Sequence, residues 1–187
     1  MAVDTGGSIE LVTGPARSGK SLWAEQRAMA SARSVHYLAT GPQLPDDQAW
    51  QERLQRHRQR RPASWTCREV GLELAAALAD YGPEDLVLID SLGTWIARGL
   101  EQPESAWEHH SQTLLAALQH CNGRIVLVSE QVGWGVVPAT AIGGLFRDRL
   151  GQLEQAITPL CSHLWLVIAG RALDLLPASH PVGIRHD

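Results

Sequence analysis

The chain has 187 residues, 44% of them hydrophobic and 19% charged, which predicts one globular domain over residues 1–187 and excludes a disordered chain. Its net charge of −4 argues against a nucleic-acid partner, and no apolar run approaches the roughly 20 residues that span a bilayer. Since the N-terminus lacks a signal-peptide pattern and the three cysteines match no disulfide framework, we expect a cytoplasmic protein.

Five short apolar runs predict buried β-strands, because each is nearly continuous in Val, Ile and Leu. They are IELVTG at 9–14, VHYLAT at 35–40, LVLID at 86–90, RIVLVSE at 124–130 and HLWLVIAG at 163–170. Helical spacing predicts helices at about 19–33, 48–60, 69–80, 104–121 and 144–160. Strands alternating with helices indicate an α/β fold with a mostly parallel sheet flanked by helices. The end of the chain, 177–187, is predicted to be a loosely packed tail.

The stretch GPARSGKS at 14–21 matches the phosphate-loop pattern G-x-x-x-x-G-K-[ST], and it follows a predicted strand and opens a predicted helix. Gly14 and Gly19 permit backbone torsions that turn successive N–H groups toward an anion. Lys20 can reach the β- and γ-phosphates, and Ser21 can offer a hydroxyl to Mg²⁺. The pattern therefore predicts a nucleotide site.

Asp90 ends the apolar run LVLID, where a Walker-B carboxylate would reach Mg²⁺ through water. The alternative interpretation is a plain helix N-cap. Lys20 is the only lysine in the chain, so the guanine-reading motif Asn-Lys-x-Asp of Ras-type GTPases is excluded. A small-molecule kinase, a nucleotidyltransferase and a nucleotide-binding regulatory protein remain open.

The stretch RLQRHRQRR at 53–61 places five arginines around His57. It predicts either a solvated basic helix face or a clamp for a triphosphate. Neighbouring guanidinium groups disfavour imidazolium, which would leave a neutral ring nitrogen of His57 able to attack phosphorus. Trp134, between two glycines, is expected to pack in the core, with a flat face for a large ligand as the alternative.

Motifs along nearly the whole chain resemble those of one family. They are LVTGPARSGKS, YLAT, HRQRRPASWTCRE (family pattern H-x-x-x-R-P-x-x-W-x-T-x-E), LIDSLGTW (Asp-Cys-Leu-Thr-x-Trp), VGWGVVP and LFRDRLG. The chain resembles the bifunctional adenosylcobinamide kinase/adenosylcobinamide-phosphate guanylyltransferases of cobalamin biosynthesis, the CobU/CobP family.

This resemblance implies a RecA-like P-loop NTPase fold, often assembled as a homo-trimer, and two reactions. The first moves the γ-phosphoryl group of ATP or GTP to adenosylcobinamide, and the second moves GMP from GTP to the resulting phosphate through a guanylylated histidine. The catalytic residues would be Lys20 and His57, and Mg²⁺ would be held by Ser21 and Asp90. The nucleotide contacts carried over are Gly14, Pro15, Ala16, Arg17, Ser18, Gly19, Lys20, Ser21, Ala39, Thr40, Gly41, Arg58, Gln59, Arg60, Arg61, Glu69 and Asp90.

Several positions depart from the family pattern, four of them in the second half of the chain. Glu130 and Gln131 stand where Asn-Glu is common, and Gly144 and Glu154 stand where Arg and Asn are expected. Glu130 could replace the usual carboxylate, or it could cap a helix or lie in a solvated loop. Two other functions stay open: a kinase of another small alcohol, and a nucleotide-binding regulatory protein.

Overall fold

The computed structural model describes residues 7–183, apart from the side chains of residues 50 and 53. The strands are β1 (Ile9–Thr13), β2 (Ser34–Ala39), β3 (Thr66–Glu69), β4 (Asp85–Asp90), β5 (Arg124–Val128), β6 (His163–Ile168) and β7 (Arg171–Asp174). The helices are α1 (Lys20–Met29), α2 (Gln48–Arg60), α3 (Leu74–Ala77), α4 (Leu92–Arg98), α5 (Glu104–His120) and α6 (Ala141–Ile157). Short 3₁₀ turns lie at Leu78–Asp80, Thr158–Leu160 and Leu176–Ala178.

The strands form one sheet in the order β3-β2-β4-β5-β1-β6-β7. Five of the six neighbouring pairs are parallel, and only β6 and β7 run antiparallel. The order places β1 between β5 and β6, so the loop after β1 emerges from the interior of the sheet. The mostly parallel sheet predicted from the alternation of strands and helices is confirmed.

Both faces of the sheet are covered, because successive strand residues point to opposite sides. Leu11 belongs to a core with α3, α4, α5 and α6, whereas Val12 belongs to a second core with α1. Every residue of β1 is buried. A nearly continuous apolar strand is what such two-sided burial requires.

The differences from the predicted elements have local causes. Strands β3 and β7 have four residues each at the two edges of the sheet, and every residue of β3 is exposed, so neither carries a run of apolar residues. Most of the helix predicted at 69–80 is α3 and a 3₁₀ turn, starting at Leu74. Helix α4 was missed because its seven residues follow β4 almost directly.

The end of the chain forms the 3₁₀ turn Leu176–Ala178, after which residues 179–183 are exposed; the remainder of the predicted tail lies outside the described residues. Across residues 7–183, no helix has the length and apolarity needed to cross a membrane.

Strand β1 contains a carboxylate that sequence patterns did not single out. Glu10 is fully buried and accepts hydrogen bonds from Arg27 at 2.8 Å, from Trp165 Nε1 at 2.8 Å and from Arg124. Burial alone would raise the pKa of Glu10, but these three donors outweigh it and lower the pKa to about 2. Glu10 thus ties β1 to α1, β5 and β6 as a buried ion-pair cluster.

Candidate active site

The phosphate loop, residues 14–19, runs from the end of β1 to the start of α1. Gly19 has φ +101° and Arg17 has φ +60°, so the backbone turns through the left-handed region twice. Gly14 does not adopt that region. A side chain there would collide with the carbonyl oxygen of Val167, so its glycine is required by close approach. The torsion prediction is therefore correct for Gly19 and wrong for Gly14.

Lys20 lies folded over the phosphate loop. Its side chain is buried, and Nζ donates to the Pro15 carbonyl at 3.4 Å, a long hydrogen bond that an anion could replace. The Ser18 hydroxyl is also buried and has no hydrogen-bond partner among the described residues. The Ser18 hydroxyl lies within the phosphate loop, close in the chain to the buried Lys20 ammonium. A phosphate would suit this site, because it supplies strong acceptor oxygens.

Asp90 ends β4, which is separated from β1 by β5 alone. Its Oδ2 accepts a hydrogen bond from the Tyr37 hydroxyl at 3.0 Å. Burial and the Asp90 charge raise the pKa of Tyr37 well above its usual range, so this hydroxyl remains a donor. The N-cap of α4 is Ser91, in a capping box with Thr94, so the N-cap interpretation of Asp90 is wrong.

The donor set at this edge fits Mg²⁺ in a phosphate complex. Such an ion takes one or two protein oxygens and completes its shell with phosphates and water. Ser21 offers a hydroxyl in the first turn of α1, and Asp90 offers a carboxylate. Within residues 7–183, no group of three or more His, Cys, Asp or Glu side chains could hold a metal by itself.

Glu130 follows β5 and caps α4. Its Oε2 accepts from the Gly93 amide at 3.0 Å, and its Oε1 accepts from the Ser91 hydroxyl. A side chain at Gly93 would collide with this carboxylate. Burial raises the pKa of Glu130 and the Asp90 charge adds to this, while Ser91, Lys20 and the Gly93 amide oppose it. Of the roles considered for Glu130, helix capping is the observed one.

Two other departures from the family pattern, Gln131 and Glu154, line one cavity of about 320 Å³ beside the end of β1. Glu154 Oε1 accepts a hydrogen bond from the Thr13 hydroxyl at 2.9 Å, and the backbone N–H of Gln131 donates to the Gly14 carbonyl at 2.9 Å. Burial raises the pKa of Glu154. Gly144 lies elsewhere, in the first turns of α6.

His57 lies near the end of α2, and a chain of side-chain contacts joins it to α1. Arg60 makes a two-point contact with Glu25 of α1, from Nε to Oε2 at 3.1 Å and from Nη2 to Oε1 at 3.1 Å. The same Nη2 lies 3.2 Å from His57 Nδ1. Glu25 is buried, and it belongs to no motif from which this contact could have been predicted.

Arg58 of α2 and Arg61, the first residue after α2, also have partners. The guanidinium of Arg61 lies 3.2 Å from the centroid of the Tyr37 ring, and Arg58 lies 3.7 Å from the Glu69 carboxylate. Gln59 is exposed. The basic stretch is therefore not simply a solvated face, because three of its arginines attach it to the sheet and to α1.

Three further predicted nucleotide contacts lie where β2 ends: Ala39 is its last residue, and Thr40 and Gly41 begin the loop after it. Thr40 is buried, and its hydroxyl lies 2.6 Å from the Ser91 carbonyl. Arg98 donates to the carbonyls of Thr40 and Gly41 at 2.8 and 2.6 Å. Sequence reasoning missed Arg98, which fixes this loop beside the end of β4.

Trp134 is 61% exposed, in an apolar loop with Val136 and Val137. The expectation that it packs in the core is wrong, and its position after β5 places it at the same edge of the sheet as the phosphate loop.

Comparisons with known proteins agree with these observations. Residues 10–175 match the family model CobU, cobinamide kinase / cobinamide phosphate guanyltransferase. The bifunctional adenosylcobalamin biosynthesis protein CobU of Salmonella typhimurium is 35% identical over 175 residues, covering 86% of this chain and 95% of the relative. CobP of Pseudomonas aeruginosa is 36% identical over 169 residues, covering 89% of this chain and 96% of the relative.

Among solved structures, an ATPase from the type III secretion system of pathogenic bacteria superimposes with a TM-score of 0.53 at 9% identity. The match covers 92% of this chain and 58% of the ATPase. At this identity the likeness concerns the fold alone, and it confirms the predicted P-loop α/β class.

Proposed function

The chain belongs to the family of cobinamide kinases and cobinamide phosphate guanyltransferases, which are bifunctional enzymes, and on that premise we propose its two reactions and their residues. In the first, a nucleoside triphosphate phosphorylates adenosylcobinamide. In the second, GMP from GTP is transferred to the adenosylcobinamide phosphate through a guanylyl-histidine at His57. The phosphate loop between β1 and α1, within a family match over residues 10–175, carries the proposal.

In the kinase half, the chain supplies positioning and charge. Amide groups of the loop and the Lys20 ammonium would hold the β- and γ-phosphates, and the buried Ser18 hydroxyl would gain the partner that it lacks among the described residues. Bound Mg²⁺ would neutralise charge on the phosphate oxygens, with Ser21 and Asp90 as the residues that hold it, Asp90 through water. Charge neutralisation at the transferred group is the main catalytic contribution in phosphoryl transfer.

In the transferase half, a ring nitrogen of His57 would attack the α-phosphorus of GTP. The N–P bond forms, the bond from the α-phosphorus to the bridging oxygen breaks, and pyrophosphate leaves with that electron pair. The adenosylcobinamide phosphate oxygen then displaces the histidine, and GMP passes to the substrate. Two displacements at a clamped phosphorus replace one difficult reaction between two anions.

The remaining nucleotide contacts are proposed on the family match. Arg58, Arg60 and Arg61 would turn from their present partners toward phosphate oxygens, because charge-assisted contacts to phosphate are strong. Ala39 and Glu69, the last residues of β2 and β3, and Gly41 in the loop after β2 would also contact the nucleotide. A homo-oligomer, often a trimer, remains a prediction from the family.

The test is a two-step assay with purified protein, adenosylcobinamide and Mg²⁺. We expect ATP or GTP to give a product heavier by one phosphate, and added GTP to convert it to adenosylcobinamide-GDP, both seen by mass spectrometry. The phosphate alone would indicate a kinase without guanylyl transfer. Nucleotide binding without either product would indicate a regulatory protein and contradict the proposal.

A further inference from the structure

The contact between Arg60 and His57 fixes which ring nitrogen carries the proton. Arg60 Nη2 lies 3.2 Å from His57 Nδ1. A guanidinium has only N–H donors and does not deprotonate in proteins, so Nδ1 must be the acceptor. The neutral ring therefore holds its proton on Nε2, and its one lone pair in the ring plane, on Nδ1, is covered by Arg60.

Arg60 is held in that position by Glu25. The Glu25 side chain is 3% exposed and receives two hydrogen bonds from Arg60, both at 3.1 Å. If Arg60 left without a replacement, a buried carboxylate would lose its cation, which is strongly unfavourable. The contact on Nδ1 is therefore anchored from inside the fold, although Arg60 itself is 41% exposed.

We propose that Glu25 is a positioning residue that holds Arg60 over His57 Nδ1 and so covers the nucleophilic lone pair until a nucleotide is bound. This inference rests on the proposed role of His57 in guanylyl transfer. It assigns Glu25 and Arg60 to the control of one ring nitrogen.

The arrangement has a chemical consequence for the transfer step. With the proton on Nε2, attack on the α-phosphorus comes from Nδ1 once Arg60 withdraws its N–H. The Nδ1–P bond forms, pyrophosphate leaves, and the resulting imidazolium loses its Nε2 proton to water. A bound triphosphate can draw Arg60 Nη2 away from Nδ1, because phosphate oxygens accept charge-assisted N–H bonds from a guanidinium, while Arg60 Nε keeps its hydrogen bond to Glu25.

Covering of Nδ1 can be measured without any nucleotide. Diethyl pyrocarbonate acylates unprotonated imidazole nitrogens, and peptide mass spectrometry gives the rate at each histidine. We expect Arg60→Ala and Glu25→Gln to raise the rate at His57 by about tenfold to a hundredfold, the factor implied by losing a hydrogen bond to a charged group.

The matched control is Arg56→Ala, on the same helix, since Arg56 donates to the Glu52 carbonyl at 3.3 Å. This variant should leave the rate at His57 at the wild-type value. The rates at His109 and His110 of α5 should stay constant in all variants, which verifies that the fold is intact. An equal rate at His57 in wild type and Arg60→Ala would overturn the proposal.

A second measurement needs no variant, so it tests which ring nitrogen of His57 carries the proton even if a substitution prevents folding. Nitrogen-15 NMR of the full chain, in the neutral state of the ring, should show Nε2 protonated and Nδ1 unprotonated with a hydrogen bond. A protonated Nδ1 would contradict the inference. Neither readout requires guanylyl transfer, so failure of the proposed function and failure of this inference give different results.

Discussion

The phosphate loop and helix α2 are proposed to hold the same triphosphate, yet they are attached to the fold in different ways. The loop leaves a strand whose five residues are all buried, and backbone bonds hold it on both sides, from Gln131 to Gly14 and from Gly170 to Ser18. In α2, none of the residues with described side chains is buried.

Helix α2 and the residue after it, Arg61, are attached instead through arginine contacts with Glu25, Tyr37 and Glu69. Such contacts can be exchanged for phosphate oxygens, whereas the loop is held by backbone hydrogen bonds next to a fully buried strand. On the proposed function, the phosphates would therefore bind a loop held by backbone bonds, while the proposed nucleophile His57 lies on a helix held by side-chain contacts.

The largest effect is expected at the phosphate loop. Lys20→Ala removes the buried ammonium and should lower the rate of adenosylcobinamide phosphorylation by about 10²- to 10³-fold, as loss of a preorganised charge does at other transition states. Steady-state kinetics measure this loss. Met29→Ala, at an exposed position of the same helix, is the control. An unchanged rate in Lys20→Ala would remove the lysine from the phosphate site.

The second prediction concerns Glu10, in the buried strand β1 from which the phosphate loop leaves. The pKa of Glu10 is about 2 in the folded chain against 4.5 for the free side chain, so its ion pairs stabilise the fold fully above pH 4.5. Glu10→Gln should lower the free energy of unfolding by about 3 kcal/mol at pH 7. Urea titrations measure this value, with the exposed Glu108→Gln as control.

The sign of the pH dependence follows from the lowered pKa. As the pH falls from 4.5 toward 2, the wild type should lose this stabilisation and approach the Glu10→Gln variant. A difference between the two proteins that stayed constant over that range would show that the Glu10 charge is not responsible.

A third prediction concerns the carboxylate that caps α4. Gly93→Ala places a methyl group against the Glu130 carboxylate and should destabilise the fold by about 1–3 kcal/mol through overpacking. The double variant with Glu130→Ala should recover part of that loss, because the colliding group is then absent. Thermal unfolding of the two variants and the wild type measures both changes in stability. If the double variant is no more stable than Gly93→Ala, the collision with Glu130 is not the cause of the destabilisation.

The smallest expected effect concerns the metal. Asp90→Asn should raise the Mg²⁺ concentration for half-maximal kinase activity by about tenfold, which is typical when a residue bound to the metal through water is changed. A Mg²⁺ titration at saturating triphosphate gives this concentration. The matched variant Asp85→Asn, at the other end of β4, should behave as wild type. No difference between the two would place Asp90 outside the metal site.

The features that could be predicted from the sequence are those encoded in short continuous segments. The phosphate loop needs eight consecutive residues, and the five inner strands are apolar because both of their faces are covered. The edge strands β3 and β7 escaped detection since exposure removes that signal. The contact between Glu25 and Arg60 joins residues 35 positions apart, and no local pattern of either one indicates the other.

The cavity lined by Gln131 and Glu154 and the cap of α4 also could not be predicted from local sequence patterns. The departures at Gln131 and Glu154 looked independent in the sequence, but the loop after β5 and helix α6 bring them to the lining of one cavity. The choice between Asp90 and Ser91 as the helix cap depended on where α4 begins, a boundary that helical spacing does not define to one residue.

We propose that the phosphate loop and helix α2 together perform guanylyl transfer through His57. Incubation with Mg²⁺ and GTP labelled at the α-phosphate, followed by denaturation, tests it most directly. We predict covalent label that acid removes and alkali does not, present in a His109→Ala control and lost in His57→Ala. Label that persists in His57→Ala, or its absence from wild type that still binds GTP, would contradict the claim.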